Sequence, residues 1–231
     1  MERQLFWDTW QGDEVKVKEI LRSDPGVDIG WRNDEGWTAL HRACDNGHDT
    51  VASILLAHPD INVNRETNIG YTPFLLACFE GKTSCARLLL KDLRVEVDFN
   101  VKMGQKDQTK MPPRFSPLLC AAHKGHLDII KWWIASGREM DLGTPGNRQT
   151  DAIGEAEKKG ETEVVTLLKR FKGDAAKTRS EVRKELGIIG QYSYCYCYDY
   201  YYFHYHAIPF LSFSVHDLLH FLPPTIFSLS I

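Results

Sequence analysis

Residues 36–64, GWTALHRACDNGHDTVASILLAHPDINVN, contain the pattern that decides the fold of this chain. Gly36 is a turn residue, and the hydroxyl of Thr38 stands where it can cap the helix that follows. Gly47 is placed to end that helix, because glycine readily adopts the left-handed conformation of a helix terminus. The predicted helix between them has one apolar face, which consists of Leu40, Ala43 and Cys44.

A second helix is predicted over Thr50–Ala57. Its apolar residues are Val51, Ile54, Leu55 and Leu56. Pro59 and Asp60 then lead into Ile61–Asn64, where apolar and polar residues alternate and predict a short extended arm. About thirty residues of helix-turn-helix cannot bury both apolar faces alone, so the unit requires copies of itself on either side.

The chain contains such copies. Residues 36–40, GWTAL, recur as GYTPF at residues 70–74, which is 34 positions later. Gly47 recurs at the same distance as Gly81. A third copy begins with SPL at residues 116–118, after a longer interval. The chain is therefore predicted to be an array of similar helical units.

The sequence TALHRA at residues 38–43 resembles the Thr-Pro-Leu-His-x-Ala motif of ankyrin repeats, and the spacing is close to that family's period of about 33 residues. The resemblance covers roughly residues 5–171. It implies an all-α solenoid of about five helix-turn-helix repeats with β-hairpin finger loops. It also implies that His41 makes structural hydrogen bonds.

We predict an ankyrin repeat domain over residues 1–187, and a low-order or non-native tail over residues 188–231 that continues no repeat. The first repeat lacks the motif and carries polar outward positions, as expected of a capping repeat. The fifth repeat is degenerate. The predicted repeats span residues 4–27, 28–61, 62–95, 96–140 and 141–172, with a closing helix over residues 174–187.

The fourth repeat contains an insertion, Val101–Arg114, which makes it longer than the repeat before it. Insertions in repeat arrays form loops that often lie on the binding face. Its charged residues are mostly basic, and we expect it to offer an additional contact to an acidic segment of a partner. These residues are Lys102, Lys106, Lys110 and Arg114, against Asp107.

The composition is that of an ordinary globular protein, with 26% charged residues, 43% hydrophobic residues and a net charge of −3. This charge favours neither nucleic acid nor a membrane surface as a partner. Cys44 and Cys78 occupy equivalent positions in successive repeats, which indicates small core residues rather than a disulfide framework. Residues 1–4 lack the pattern of a secretory signal. We therefore expect an intracellular monomer with reduced thiols, assigned to the cytoplasm with the nucleus left open.

The tail differs in composition from the rest of the chain. Residues 188–231 contain no Lys, Arg or Glu, and they hold every tyrosine except Tyr71. Composition favours the interpretation that this segment is translated non-coding sequence. The alternative is a hydrophobic anchor over Ala207–Ile231, which is long enough to span a bilayer but contains Asp217 and Pro223.

Three patterns resemble ligand sites but lack what such sites require. His41, Cys44 and His48 could contribute metal ligands, but the resemblance assigns His41 a structural role and no fourth ligand is present. The cysteines and histidines within residues 195–206 do not have the spacing of a standard zinc finger. Residues 81–83, GKT, lack the first glycine and the preceding strand of a phosphate-binding loop. We predict no metal, no cofactor and no small-molecule substrate.

Catalysis and nucleic-acid binding are also not supported. The chain has no Gly-x-Ser-x-Gly motif, and the spacing of His41 and Asp45 suits a surface pair better than an activated dyad. Seven basic residues lie within Lys169–Lys184 against Asp174 and Glu181, but without interleaved aromatic residues. We interpret this run as a solvated helix face.

The resemblance implies a concave surface, lined by finger loops and first helices, on which protein partners bind. One structural position in three successive repeats is occupied by a large aromatic residue: Trp37, Tyr71 and Phe115. Such a row suits an interface hot spot. The alternative is that these aromatic residues stack between the fingers. The predicted partner-binding residues are Trp10, Arg32, Asp34, Glu35, Trp37, Asp45, Asn46, Glu66, Asn68, Ile69, Tyr71, Phe79, Glu80, Phe115, His123 and Lys124.

The sequence therefore predicts a non-catalytic scaffold that binds a protein partner through this concave surface. Two alternatives stay open. The chain could be a membrane-tethered adaptor that uses the hydrophobic tail, or the regulatory domain of a truncated larger protein.

Overall fold

The computed structural model describes residues 1–98, 101–102, 114–143 and 151–188. Most of the predicted insertion and the tail from residue 189 onward, including the cysteine–histidine run, lie outside the described residues. Within the described ranges, no helix is long and apolar enough to cross a membrane.

Eleven α-helices and one short antiparallel strand pair form the described part of the chain. The elements are α1 Glu2–Gln11, α2 Glu14–Ser23, α3 Ala39–Asn46, α4 Asp49–Leu56, α5 Pro73–Phe79, α6 Thr83–Lys91, β1 Val101–Lys102, β2 Arg114–Phe115, α7 Pro117–His123, α8 Leu127–Ser136, α9 Ala152–Lys159, α10 Thr162–Gly173 and α11 Ala175–Glu185. This confirms an all-α array of about five helix pairs.

Side-chain caps begin the first helix of repeats two to five. Thr38 caps α3, Thr72 caps α5, Ser116 caps α7 and Asp151 caps α9, each by accepting a hydrogen bond from the backbone N–H three residues further on. These bonds satisfy amides that have no partner within the helix. The cap predicted for Thr38 and the helix end predicted at Gly47 are both confirmed.

The helices form two layers. The inner layer consists of α1, α3, α5, α7 and α9, each packed on the next, and the outer layer consists of α2, α4, α6, α8 and α10. Apolar side chains of both layers fill the space between them. Trp133 on α8 is fully buried, with its ring centroid 5.0 Å from that of Phe74 on α5. Cys44, Cys78, Cys85 and Cys120 are buried free thiols, as predicted for core residues.

The finger loops differ from the prediction in one respect. The fingers of repeats two and three are tight turns, closed by Asn33 N–H to Trp37 O (3.0 Å) and Thr67 N–H to Tyr71 O (2.9 Å), and contain no β-strand. The predicted extended arm Ile61–Asn64 is also not a strand, although Ile61 and Val63 are buried. These loops are too short to pair over several residues. Among the described residues, a strand pair occurs only in repeat four, where β1 pairs with β2.

Helix α11 packs against α8 and α10 on the outer layer. Val182 is fully buried there, and Asp174 caps the helix as predicted. Arg179 and Arg183 donate to the carbonyls of Ile134 (3.2 Å) and Ala135 (2.8 Å) at the end of α8. The prediction of a solvated basic face is therefore wrong for these two arginines. They satisfy carbonyl groups that the end of α8 leaves without intrahelical partners.

Candidate partner-binding surface

The inner helices place equivalent residues in a row along one side of the array. Trp10, Asp45, Phe79 and His123 each lie two residues before the glycine that follows α1, α3, α5 or α7. Direct contacts join neighbouring members of this row and the residues beside them, as described below. We call this row, together with the exposed side chains beside it on α1, α3, α5, α7 and α9 and at their C-terminal ends, the inner-helix surface.

Trp7 and Trp10 form the beginning of the inner-helix surface. Their ring centroids lie 5.2 Å apart in an edge-to-face arrangement, and the residues are 52% and 43% exposed. Trp10 was predicted to be a partner-binding residue, but Trp7 was missed. Trp7 precedes Gly12 by the same five positions that separate Arg42 from Gly47, but Leu76 and Cys120 at this register are buried, so the register alone does not identify Trp7.

Arg42 connects the aromatic side chains of the first two repeats. Its guanidinium carbon lies 4.1 Å from the ring centroid of Trp37 and 5.5 Å from that of Phe6. The same guanidinium lies 3.7 Å from the carboxylate of Asp45. Trp37 is consequently only half-exposed, because Arg42 covers part of the ring.

His41 is fully buried and makes structural hydrogen bonds, as the resemblance implied. Its Nδ1 accepts from the backbone N–H of Thr38 (3.1 Å), and its Nε2 donates to the carbonyl of Tyr71 (3.0 Å). Burial lowers the pKa of His41 to about 4. The predicted surface pair between His41 and Asp45 is therefore wrong, because the helix turns the imidazole towards the next repeat. Within the described residues, no group of three histidines, cysteines or acids could hold a metal ion.

Arg32 and Asn68 join the fingers of repeats two and three. Arg32 donates to the carbonyls of Gly36 (3.2 Å) and Glu66 (3.2 Å) and to the side-chain oxygen of Asn68 (3.0 Å). The side-chain amide of Asn68 donates to the carbonyl of Asp34 (2.7 Å). Both predicted partner-binding residues thus have intramolecular roles.

Exposed side chains remain at the finger tips. They are Asp34, Glu35, Glu66 and Ile69, and Ile69 is 41% exposed. Tyr71 is half-exposed behind them. The side chain of Phe115, which was predicted to continue the aromatic row, lies outside the description, although its backbone belongs to β2.

In the middle of the inner-helix surface, the carboxylate of Glu80 is near enough to influence that of Asp45. Asp45 is half-buried between α1 and α5, and Glu80 is exposed at the end of α5. Burial raises the pKa of Asp45, and the negative charge of Glu80 raises it further. Asn46, beside them, donates to the carbonyl of Arg42 (3.1 Å). Arg42 and Lys82 counter the two carboxylates, and the exposed Asp34, Glu35 and Glu66 add negative charge on the adjoining fingers.

The end of the surface near α9 is basic. The Lys124 ammonium lies 4.6 Å from the ring centroid of Phe79. His123 Nδ1 donates to Glu155 Oε1 (2.8 Å), and Lys158 lies 3.5 Å from the other oxygen of that buried carboxylate. Lys158 and Lys159 were missed as surface residues, although their register with His123 and Lys124 relative to the following glycine identifies them.

Three of the core cysteines have raised thiol pKa values. A hydrogen bond with Cys85 and burial together raise the pKa of Cys44, and burial raises the pKa of Cys78 and Cys120. These thiols therefore act as small core groups.

A family model described as ankyrin repeats (3 copies) matches residues 5–103. Among curated proteins, none matches the chain. Residues 5–103 therefore match ankyrin repeats, and α7 to α10 continue the same two-layer stacking. Ankyrin repeats are generally protein–protein interaction modules and are typically non-catalytic.

Proposed function

We propose that this chain is a non-catalytic scaffold that binds a protein partner through the inner-helix surface and the adjoining fingers. The observation that carries the proposal is the exposed pair Trp7–Trp10 at the start of a row of charged side chains. Rigid aromatic area surrounded by charged groups is the arrangement that dominates binding energy at protein interfaces. Large exposed aromatic groups otherwise reduce solubility.

The chemistry of the buried groups supports a non-catalytic role. His41 has both ring nitrogens in structural hydrogen bonds, and burial raises the pKa of the Cys78 and Cys120 thiols. We also propose that the protein is a cytoplasmic monomer. Light scattering of the purified chain measures its oligomeric state directly. The membrane-tethered and truncated-protein alternatives depend on residues 189–231, which lie outside the described residues.

The test is selection of binders from a displayed peptide library on the immobilised full-length chain, followed by affinity measurements on variants. We expect Trp10→Ala to weaken binding about thirtyfold, as truncation of an interface hot spot does. The matched control is Val15→Ala, because Val15 is an apolar residue on the outer helix α2 and is 74% exposed. Binders that respond equally to both substitutions, or to neither, would contradict the proposed surface.

A further inference from the structure

We infer that the partner is a segment whose side chains follow the order apolar, basic, acidic when read from the α1 end of the inner-helix surface to the α9 end. The inference rests on the proposed function and specifies the chemistry of the partner. It follows from the order in which the array presents its own exposed groups.

The α1 end selects an apolar side chain. Trp7 and Trp10 stand edge to face and leave about half of their area exposed. Apolar contact is therefore what this end offers.

The middle selects a basic side chain. Asp45 and Glu80 face the same region, and the negative charge of Glu80 disfavours the ionised form of Asp45. Arg42 and Lys82 both act against this, but Arg42 lies 3.7 Å from Asp45 and shares its guanidinium with the aromatic rings, so they offset it only in part. Three exposed acids, Asp34, Glu35 and Glu66, against the exposed Arg65, add negative charge to the adjoining fingers. A lysine or arginine of the partner would relieve this repulsion.

The α9 end selects an acidic side chain. Lys124, Lys158 and Lys159 are exposed there. Two acids lie near these three lysines: Glu155, which is buried and already bound by His123 and Lys158, and Glu161, whose carboxylate lies beside Gly125. The end is therefore basic overall.

The distance between the two ends sets the length of the partner segment. Packed helices lie about 8–10 Å apart, so the four steps from α1 to α9 extend over roughly 35 Å. An extended chain rises about 3.3 Å per residue, so about eleven residues cover the α1 end, the middle and the α9 end. We call these three parts of the surface the three zones. A short linear segment is sufficient.

The experiment uses a displayed library of random peptides of about sixteen residues, the length that the three zones require with a margin at each end. The full-length chain selects binders, and the best peptide is synthesised together with a permuted peptide in which its basic and acidic blocks are exchanged. We expect the permuted peptide to bind at least about tenfold more weakly, because like charges then face one another.

Single substitutions locate the zones. Glu80→Gln and Lys159→Gln should each weaken the selected peptide about fivefold at low salt, as loss of an exposed ion pair does, and the loss should shrink at high salt. Replacing the peptide lysine by glutamine should abolish the effect of Glu80→Gln. The matched controls are Glu19→Gln on α2 and Lys172→Gln on α10, exposed residues of the outer helices whose loss should leave the affinity unchanged.

The outcomes separate this inference from the proposed function. Sensitivity to Trp10→Ala without sensitivity to Glu80→Gln or Lys159→Gln would overturn the predicted order and leave the binding surface intact. Equal binding of the permuted peptide would overturn the order as well. Selection of no binder, or of binders that ignore all three substitutions, would overturn both.

Discussion

Single residues fix the fingers of this array. The backbone of Gly36 has a φ of +83°, a conformation that only glycine adopts without strain. A Cβ at this position would lie 2.4 Å from a guanidinium nitrogen of Arg32 and 2.7 Å from the backbone nitrogen of Asn68. The glycine thus permits the close approach of two neighbouring fingers.

Gly36→Ala should therefore reduce the free energy of unfolding by more than about 1–2 kcal/mol, which is the cost of the left-handed conformation alone. Gly160→Ala is the matched control, because Gly160 has a φ of +77° and a Cβ there would meet nothing within 4 Å. Urea denaturation of both variants measures the difference. Equal losses would show that the contact with Arg32 and Asn68 contributes nothing.

The pKa of His41 makes stability depend on pH. Its pKa is about 4 in the folded chain and about 6.5 in an unfolded one, so the unfolded state binds more protons between these values. The contribution of His41 to the free energy of unfolding is complete above about pH 6.5. It decreases by up to about 3 kcal/mol as the pH falls towards 4.

The variant His41→Gln keeps a donor for the Tyr71 carbonyl but cannot be protonated. We expect its unfolding midpoint in urea to change less between about pH 6.5 and about pH 4.5 than that of the unchanged chain. If the urea midpoints of the two proteins changed equally over this pH range, His41 would not be the source of the pH dependence.

At the scale of elements, helix α11 shows how charged side chains complete a helix packing. Its apolar stripe is thin, with Thr178 and Val182 buried. The arginines beside these residues supply the remaining contacts by bonding to carbonyls at the end of α8. Cations are also favoured there by the dipole of α8.

Arg183→Gln should destabilise the docking of α11 by about 1–2 kcal/mol, because a charge-assisted bond to the carbonyl of Ala135 is lost. Lys184→Gln removes the same charge from the adjacent exposed position and serves as the control. Hydrogen exchange of the α11 amides measures the effect. Faster exchange in both variants to the same degree would point to net charge rather than to the specific bond.

At the scale of the whole molecule, stability is shared between neighbours along the array. Each inner helix packs on the next one, and the outer helices do the same. Arrays of this type are stabilised by the units themselves and by the interfaces between adjacent units. The described core reaches its end at α11, which packs back on α8 and α10.

We therefore expect a chain of residues 1–188 to fold without the segment that follows. Its free energy of unfolding should agree with that of the full chain to within about 1 kcal/mol, since no repeat interface is removed. Thermal and urea unfolding of both chains measure this. A large loss of stability in the shorter chain would contradict the predicted domain boundary at residue 187.

The sequence by itself determined the repeat, the caps and the core. Thr38, Gly47 and the buried cysteines act locally or recur with the period, so neighbouring residues suffice to predict them. The row Trp10, Asp45, Phe79 and His123 also followed from register alone.

Only the tertiary structure decided which of the polar residues are engaged within the chain. Arg32 bonds to residues more than thirty positions away, Arg42 lies on rings of two other elements, and Arg183 reaches the end of α8. The partners of long side chains depend on how whole helices and fingers are placed. Periodicity shows which face of a helix is polar, but the distances across that face arise only when the repeats stack.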